Sequence, residues 1–393
     1  MAKILMTWEL GAGLGHMAPL RPLVEELLGR GHQVSLALRN LARAPMVFRD
    51  LPVRFYQAPF YVRRGEAPKP PAAYIHLLEN IGFRDTAQVA TLLIKWRAIF
   101  DEVRPDLLLC EHSPTALLAA RGYSFSRVVF GNGFYCPPGT GTLTMLRPWL
   151  KVSLNQVRED EERLTLDLNR ILDSVGGRPL NVLSDLYRQV DETFVTTFAE
   201  LDHFDRPQPC EYRGIWTLKT GDPFDWPPGD GPRVFAYLKP GAALDGLLRE
   251  LRVQRLPTLV YADGLDGKVK QDYASVTLRF VDRPLDMTQV GAECDLGVCN
   301  ANHSTTAMLL KAGKRLLLLP IALEQYLLGS KLDRQGMAVT VPPNAPSAVV
   351  ALLQKALDSN RLRSAANDFA ERHAYFDAAR SVAKIADRIE QLL

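Results

Sequence analysis

The chain has 393 residues, 47% hydrophobic and 23% charged, with a formal net charge of +3. These are the proportions of a globular protein with a large core. The length suits two domains better than one, and so small a charge gives no reason to expect a nucleic-acid partner. The five cysteines (Cys110, Cys136, Cys210, Cys294, Cys299) form no C-x-x-C pair, which argues against a disulfide framework and for a reducing compartment. The histidines show no metal-ligand spacing such as H-E-x-x-H, so no metal site is expected. The first apolar run breaks at Glu9, too early for a signal peptide, and no stretch of about 18 apolar residues follows. A cytoplasmic protein without a transmembrane segment is expected. Its mild basicity leaves room for an anionic small molecule, or for peripheral contact with an anionic membrane surface.

In chain order, residues 3–8 read as a strand, 11–16 as a glycine-rich turn, 19–29 as an amphipathic helix and 33–38 as a second strand, a βαβ opening. The turn runs G-x-G-x-G rather than G-x-G-x-x-G. The second strand ends at Arg39 with no acidic residue for a ribose, which leaves only a weak NADP reading through Arg39. A strand over 51–60 and a basic, proline-rich loop over 61–71 (Arg63, Arg64, Lys69) follow. Helices over 73–103, broken near Gly82, carry a face of Leu77, Leu78, Ile81, Leu92, Leu93, Trp96, Ile99 and Phe100 that reads most simply as core, with part of it able to line an acceptor cleft. Residues 105–112 form a buried strand ending in Glu111 and His112. A helix over 115–121, a strand over 127–130 and a loop over 131–142 come next. Helices are expected over 145–174 and 179–190, with the run Arg158 to Arg163 as one solvated face, and then a strand over 190–196.

Proline and glycine crowd residues 205–232, as in an interdomain linker. Alternation then restarts, with strands over 233–238, 258–261 and 276–280, a helix over 243–251, and closing helices over 346–357, 360–372 and 377–392. The expected fold class is α/β: two doubly wound Rossmann-like domains facing across a cleft. The expected boundaries are 1–205 for the N-terminal domain, 206–232 for the linker and 233–375 for the C-terminal domain. Residues 376–393 form a terminal helix able to pack back on the first domain.

The most informative stretch runs from Asp295 to Gln325. A short strand leads into the polar turn Asn300-Ala301-Asn302-His303 and a helix opening at Ser304, Thr305 and Thr306. Gly313 closes that helix, and a second buried strand stops at Pro320. A helix that starts this way offers unpaired N–H groups and a positive dipole end to a phosphate. The same pattern also suits an ordinary capped αβ unit. Glu324 and Gln325, just past the next strand, are placed to reach a ligand held there.

By motif order over nearly its whole length, the chain resembles the GT-B-fold glycosyltransferases of the UDP-glycosyltransferase-like family (family 1). The carriers are Gly15-His16-x-x-Pro19 and the Asp295–Gln325 block, which looks like the family's D-x-x-V-x-H-G-G-x-G-T … P … [DE]-Q pattern. Arg283-Pro-Leu-Asp286 falls where the family has its base-binding loop. The resemblance implies that His16 is the general base toward an acceptor hydroxyl and that Glu111 orients it. It further implies an inverting, metal-independent displacement; consistently, the chain has no D-x-D pair. Gly15, Arg283, Asn302, His303, Ser304, Thr305, Thr306, Glu324 and Gln325 would bind the donor, a UDP- or dTDP-sugar, with no other cofactor. The N-terminal domain would take a small, apolar acceptor. The motif is degenerate: Asn300 stands for the phosphate-contacting histidine, and Asn302 and Ser304 stand for glycines that let backbone approach a diphosphate. That departure motivates the alternative, a catalytically impaired relative that binds a ligand or protein without transferring sugar.

Overall fold

A computed structural model of the chain describes residues 1–62, 69–139, 141–147, 149–206, 210–216, 221–262 and 264–393. The expected loop residues Arg63 and Arg64, and Pro207 and Pro209 of the expected linker, lie outside them. The chain divides into two compact units: residues 1–198, 204–214 and 377–393 form the first, and 199–203 and 215–376 the second.

The first unit is built on a six-stranded parallel sheet of β1 (Lys3–Trp8), β2 (Gln33–Leu38), β3 (Arg54–Gln57), β4 (Leu107–Glu111), β5 (Ser126–Gly131) and β6 (Glu192–Val195), in the order β3-β2-β1-β4-β5-β6. The central strands β1 and β4 are almost wholly buried, as their unbroken apolar runs require when helices cover both sheet faces. The second unit repeats the plan with β7 (Val234–Leu238), β8 (Thr258–Ala262), β9 (Leu278–Val281), β10 (Leu296–Cys299), β11 (Arg315–Leu318) and β12 (Val339–Thr340), in the order β12-β11-β10-β7-β8-β9. Its core gathers Val234, Leu247, Val260, Leu296, Val298, Leu317 and Leu353. In each sheet the strand order reverses between the first and fourth strands, and the carboxyl ends of that pair form the crevice where such sheets place ligands. His16 and Glu111 follow β1 and end β4; Lys239 and Asn300 follow β7 and β10.

The terminal helix Ala378–Glu390 belongs to the first unit. It buries Val382, Ile385, Ala386 and Ile389 and ties Arg30 to Asp387 (2.7 Å) and Glu390 (2.6 Å).

Several expectations are corrected. The helix expected from 145 begins only at Leu154, where the Ser153 hydroxyl accepts from the Gln156 amide at 3.1 Å. Upstream, Met145 pairs with Ala73 as an antiparallel bridge, and Pro148 in the sequence has no N–H to extend a helix. The run Arg158 to Arg163 is not one solvated face, because Asp160 and Glu161 are buried. Asp160 bonds His76 at 3.1 Å, and Glu161 accepts the Leu143 amide at 2.7 Å. Of the expected linker, residues 221–232 pack into the second unit. Asp222 bridges Leu285, and the Trp226 indole donates to Glu293 at 2.8 Å. The helices Gly267–Tyr273, Met287–Glu293 and Leu323–Arg334 were not expected. Their apolar positions are too few or too irregular to announce a buried face. Among the described residues no helix is long and apolar enough to cross a membrane.

Candidate active site

In the first unit the turn after β1 brings His16 beneath the end of β4. Its Nδ1 lies 2.8 Å from Glu111 Oε1, with both residues buried (6% and 3% exposed). A carboxylate at that distance holds a neutral imidazole with Nδ1 protonated, leaving Nε2 as the basic nitrogen. Aromatic rings fix the imidazole plane: Trp8 stacks on it at 5.1 Å, and Tyr135 lies tilted at 5.0 Å. His112 follows Glu111 with left-handed backbone (φ 42°) and stacks on Tyr135 at 4.3 Å. Its Nδ1 is buried and has no hydrogen-bond partner among the described residues. Burial, and then the neighbouring His16, push the His112 imidazole well below the usual histidine range, so this second ring stays neutral. Gly15 is exposed in the turn.

A second carboxylate, read in the sequence only as the break in the first apolar run, belongs to this site. Glu9, just past β1, is 1% exposed and accepts from the Thr115 amide (2.8 Å), the Thr115 hydroxyl (2.5 Å), the Ala116 amide (3.3 Å) and the Trp96 indole (3.2 Å). Burial pushes its carboxyl up to about 7 against the pull of these donors. The one sequence signal was an acidic residue set directly between an apolar strand and a glycine turn. Arg39 donates to the Glu9 carbonyl at 2.8 Å and lies over the Phe60 ring. Its guanidinium is thus engaged where an NADP reading would need it for a phosphate.

In the second unit the helix His303–Lys311 follows β10. The side chain of Asn302, at the cap position, makes no cap hydrogen bond, and its buried Oδ1 has no partner among the described residues. The first turn of such a helix carries amides that its own i→i−4 ladder does not use. Ser304 and Thr305 are partly exposed. Thr306 is turned inward: it is fully buried, its amide donates to the Asn302 carbonyl at 2.9 Å, and its hydroxyl lies 3.5 Å from Cys299 Sγ. Asn300 works as a staple, its Oδ1 accepting from the Lys239 amide and its Nδ2 donating to the Leu319 carbonyl, both at 2.7 Å. Ala301 takes a left-handed conformation (φ 58°) that costs a residue with a Cβ roughly 1–2 kcal/mol.

A hollow of about 290 Å³, lined by Lys239, Gly241, Asn300, Pro320, Ile321 and Pro342 among others, opens at the strand ends beside this turn. Gln325 Oε1 accepts the Ile321 amide at 2.9 Å, so its carbonyl oxygen serves the backbone. Glu324 is partly exposed, with Oε1 3.9 Å from the Nε2 of the buried His203; the His203 ring stacks against His303 at 6.1 Å. Burial pushes the His303 imidazole down to about 4. Arg283 is exposed, 3.8 Å from Asp222. The structure thus gathers Asn302, His303, Ser304 and Thr305 at one helix start and sets Glu324 beside His203, while Arg283 stands apart in its loop.

No protein-family model matches the sequence, and neither does any curated protein. Solved structures do match. The SsfS6 glycosyltransferase of Streptomyces sp. SF2575, complexed with thymidine diphosphate, superposes with a TM-score of 0.65 at 18% identity, covering 98% of this chain and 100% of its own. The calicheamicin glycosyltransferase CalG4 gives 0.68 at 18% identity, with 100% and 98% covered. Glycosyltransferase VinC in complex with dTDP gives 0.65 at 15% identity, with 98% and 100% covered. The chain therefore has the two-domain fold of the GT-B glycosyltransferases.

Proposed function

We propose that the protein is a glycosyltransferase that moves a sugar from a nucleotide diphosphate sugar to the hydroxyl of a small, apolar acceptor. The observation that carries this reading is the buried His16–Glu111 pair at the strand-order reversal of the first sheet. His16 Nε2 takes the acceptor proton as the acceptor oxygen attacks the anomeric carbon. The bond from that carbon to the diphosphate oxygen breaks in the same displacement, so configuration inverts and the nucleoside diphosphate leaves as the anion. Glu111 holds the tautomer and stabilises the imidazolium that forms.

The start of the helix His303–Lys311 suits the diphosphate. Its amides and dipole supply positive charge where the leaving group becomes negative. The hollow beside Asn300, with Glu324 and Gln325 past Pro320, suits the donor sugar. The aromatic wall of Trp8 and Tyr135 around His16 favours an apolar acceptor. The thymidine diphosphate and dTDP held by SsfS6 and VinC favour a dTDP- or UDP-sugar donor.

The test is a screen of UDP-, dTDP- and GDP-sugars with an acceptor panel. Released nucleotide is read by mass spectrometry and donor binding by calorimetry. One donor should release its diphosphate only in the presence of an acceptor, and His16→Ala should abolish release while binding that donor normally. Heat of donor binding with no release from the unaltered protein would replace this reading with ligand binding alone.

A further inference from the structure

Glu9 takes no part in the chemistry above, yet four donors converge on its buried carboxylate. Its four donors come from two elements remote in sequence. Thr115 and Ala116 open the short helix that follows Glu111 and His112, and Trp96 lies on the helix Thr86–Val103. The Trp96 indole also donates to the Thr115 hydroxyl at 2.9 Å, which closes the cluster.

The residues beside Glu9 reach His16 itself or the residue that follows Glu111. Trp8 stacks on the His16 ring and donates its indole N–H to the Leu10 carbonyl at 2.5 Å. The Leu10 amide donates to the His112 carbonyl at 3.2 Å, one residue past Glu111. Gly11 lies against His16 Nε2, where a Cβ would approach to 2.1 Å.

We propose that Glu9 is a positioning residue for sugar transfer: its carboxylate clamps the turn after β1 to the start of the helix Pro114–Ala119 and so keeps His16 aligned with Glu111. This rests on the reading of His16 as the base. A helix cap with no further duty would need the Thr115 and Ala116 amides alone. The added bonds from Trp96 and the Thr115 hydroxyl fix the carboxylate in two more directions, and the backbone on either side of it leads directly to the imidazole. Displacing a base by about 1 Å costs up to ~100-fold in rate, so a clamp of this kind acts on kcat more than on binding.

The experiment compares Glu9→Gln and Thr115→Val with the unaltered protein. Glutamine keeps the shape but turns an N–H₂ toward the Trp96 and Ala116 donors, whereas valine removes a single donor and leaves the carboxylate. The readouts are kcat and acceptor KM, donor binding by calorimetry, the thermal melt, and the downfield NMR resonance of the His16 Nδ1 proton shared with Glu111. The expected result for Glu9→Gln is a ~10- to 100-fold fall in kcat with acceptor KM and donor affinity nearly unchanged, together with a shifted or lost Nδ1 resonance. Thr115→Val should show the same pattern, weaker. Unaltered kcat and resonance in Glu9→Gln would overturn the proposal, and so would a fall in kcat that only follows the folded fraction. If Glu9→Gln does not fold, Thr115→Val decides by the same readouts. If the unaltered protein transfers no sugar, the reading of His16 as base fails, and the resonance alone then judges whether Glu9 aligns the pair.

Discussion

Gly11 sits so close over His16 that a methyl group on its Cα would lie 2.1 Å from Nε2, and its backbone holds φ at +88°. Both facts demand glycine there: the first leaves no volume for a Cβ, and the second is a conformation that other residues adopt only at a cost. Gly11→Ala should therefore displace the imidazole and abolish transfer, with a loss of about 1–3 kcal/mol in stability. Donor binding, which rests on the second unit in this reading, should persist. A transfer assay beside calorimetry checks the split; full turnover in Gly11→Ala would mean that Nε2 is not the working nitrogen.

Glu111→Gln preserves volume but removes the negative charge that selects the Nδ1-protonated tautomer and steadies the imidazolium. The rate of transfer should fall by ~10²–10⁴-fold, while donor affinity and the thermal melt stay close to those of the unaltered protein. Steady-state kinetics with a saturating donor measures it.

Asn300 joins the ends of β7, β10 and β11 through two side-chain hydrogen bonds in a buried position. Asn300→Ala strands the Lys239 amide and the Leu319 carbonyl, each left unsatisfied at about 1–3 kcal/mol. A loss of roughly 2 kcal/mol or more is expected in chemical denaturation. Asn300→Asp should also destabilise, because a carboxylate can accept from Lys239 but only repels the Leu319 oxygen.

Glu161 offers a pH test. Burial pushes its carboxyl up from 4.5 to about 7, so the folded state holds its proton more tightly than the unfolded chain does. Its contribution to stability is therefore present below pH 4.5 and lost as pH rises to about 7. Glu161→Gln keeps an oxygen for the Leu143 amide and removes the titration. Its stability relative to the unaltered protein should rise between pH 4.5 and about 7 and level off above, by about 1–3 kcal/mol in all. Denaturant midpoints across that range decide it, and a difference independent of pH would refute the assignment.

The alternation of strands and helices in both halves was legible because it is written in neighbouring residues. Unbroken apolar runs mark strands buried on both faces, and spaced apolar positions mark helices. The start of the helix at His303 and its stop before Gly313, which holds φ at +69°, are local in the same sense. The Gly15-His16 and Glu324-Gln325 motifs drew attention to the two candidate regions through a resemblance. Neither motif carries the distances that chemistry needs.

The sequence by itself therefore determined the two-fold α/β plan and where its polar turns fall, since those depend on side chains a few positions apart. Tertiary structure alone decided the rest. Glu9 meets Thr115 across 106 residues and Asn300 meets Lys239 across 61, and the acidic run splits at Asp160 and Glu161 into buried and solvated members. Whether a carboxylate is a solvated charge, a clamp or the partner of a base is set by the donors and the dielectric around it, and only folding brings those together.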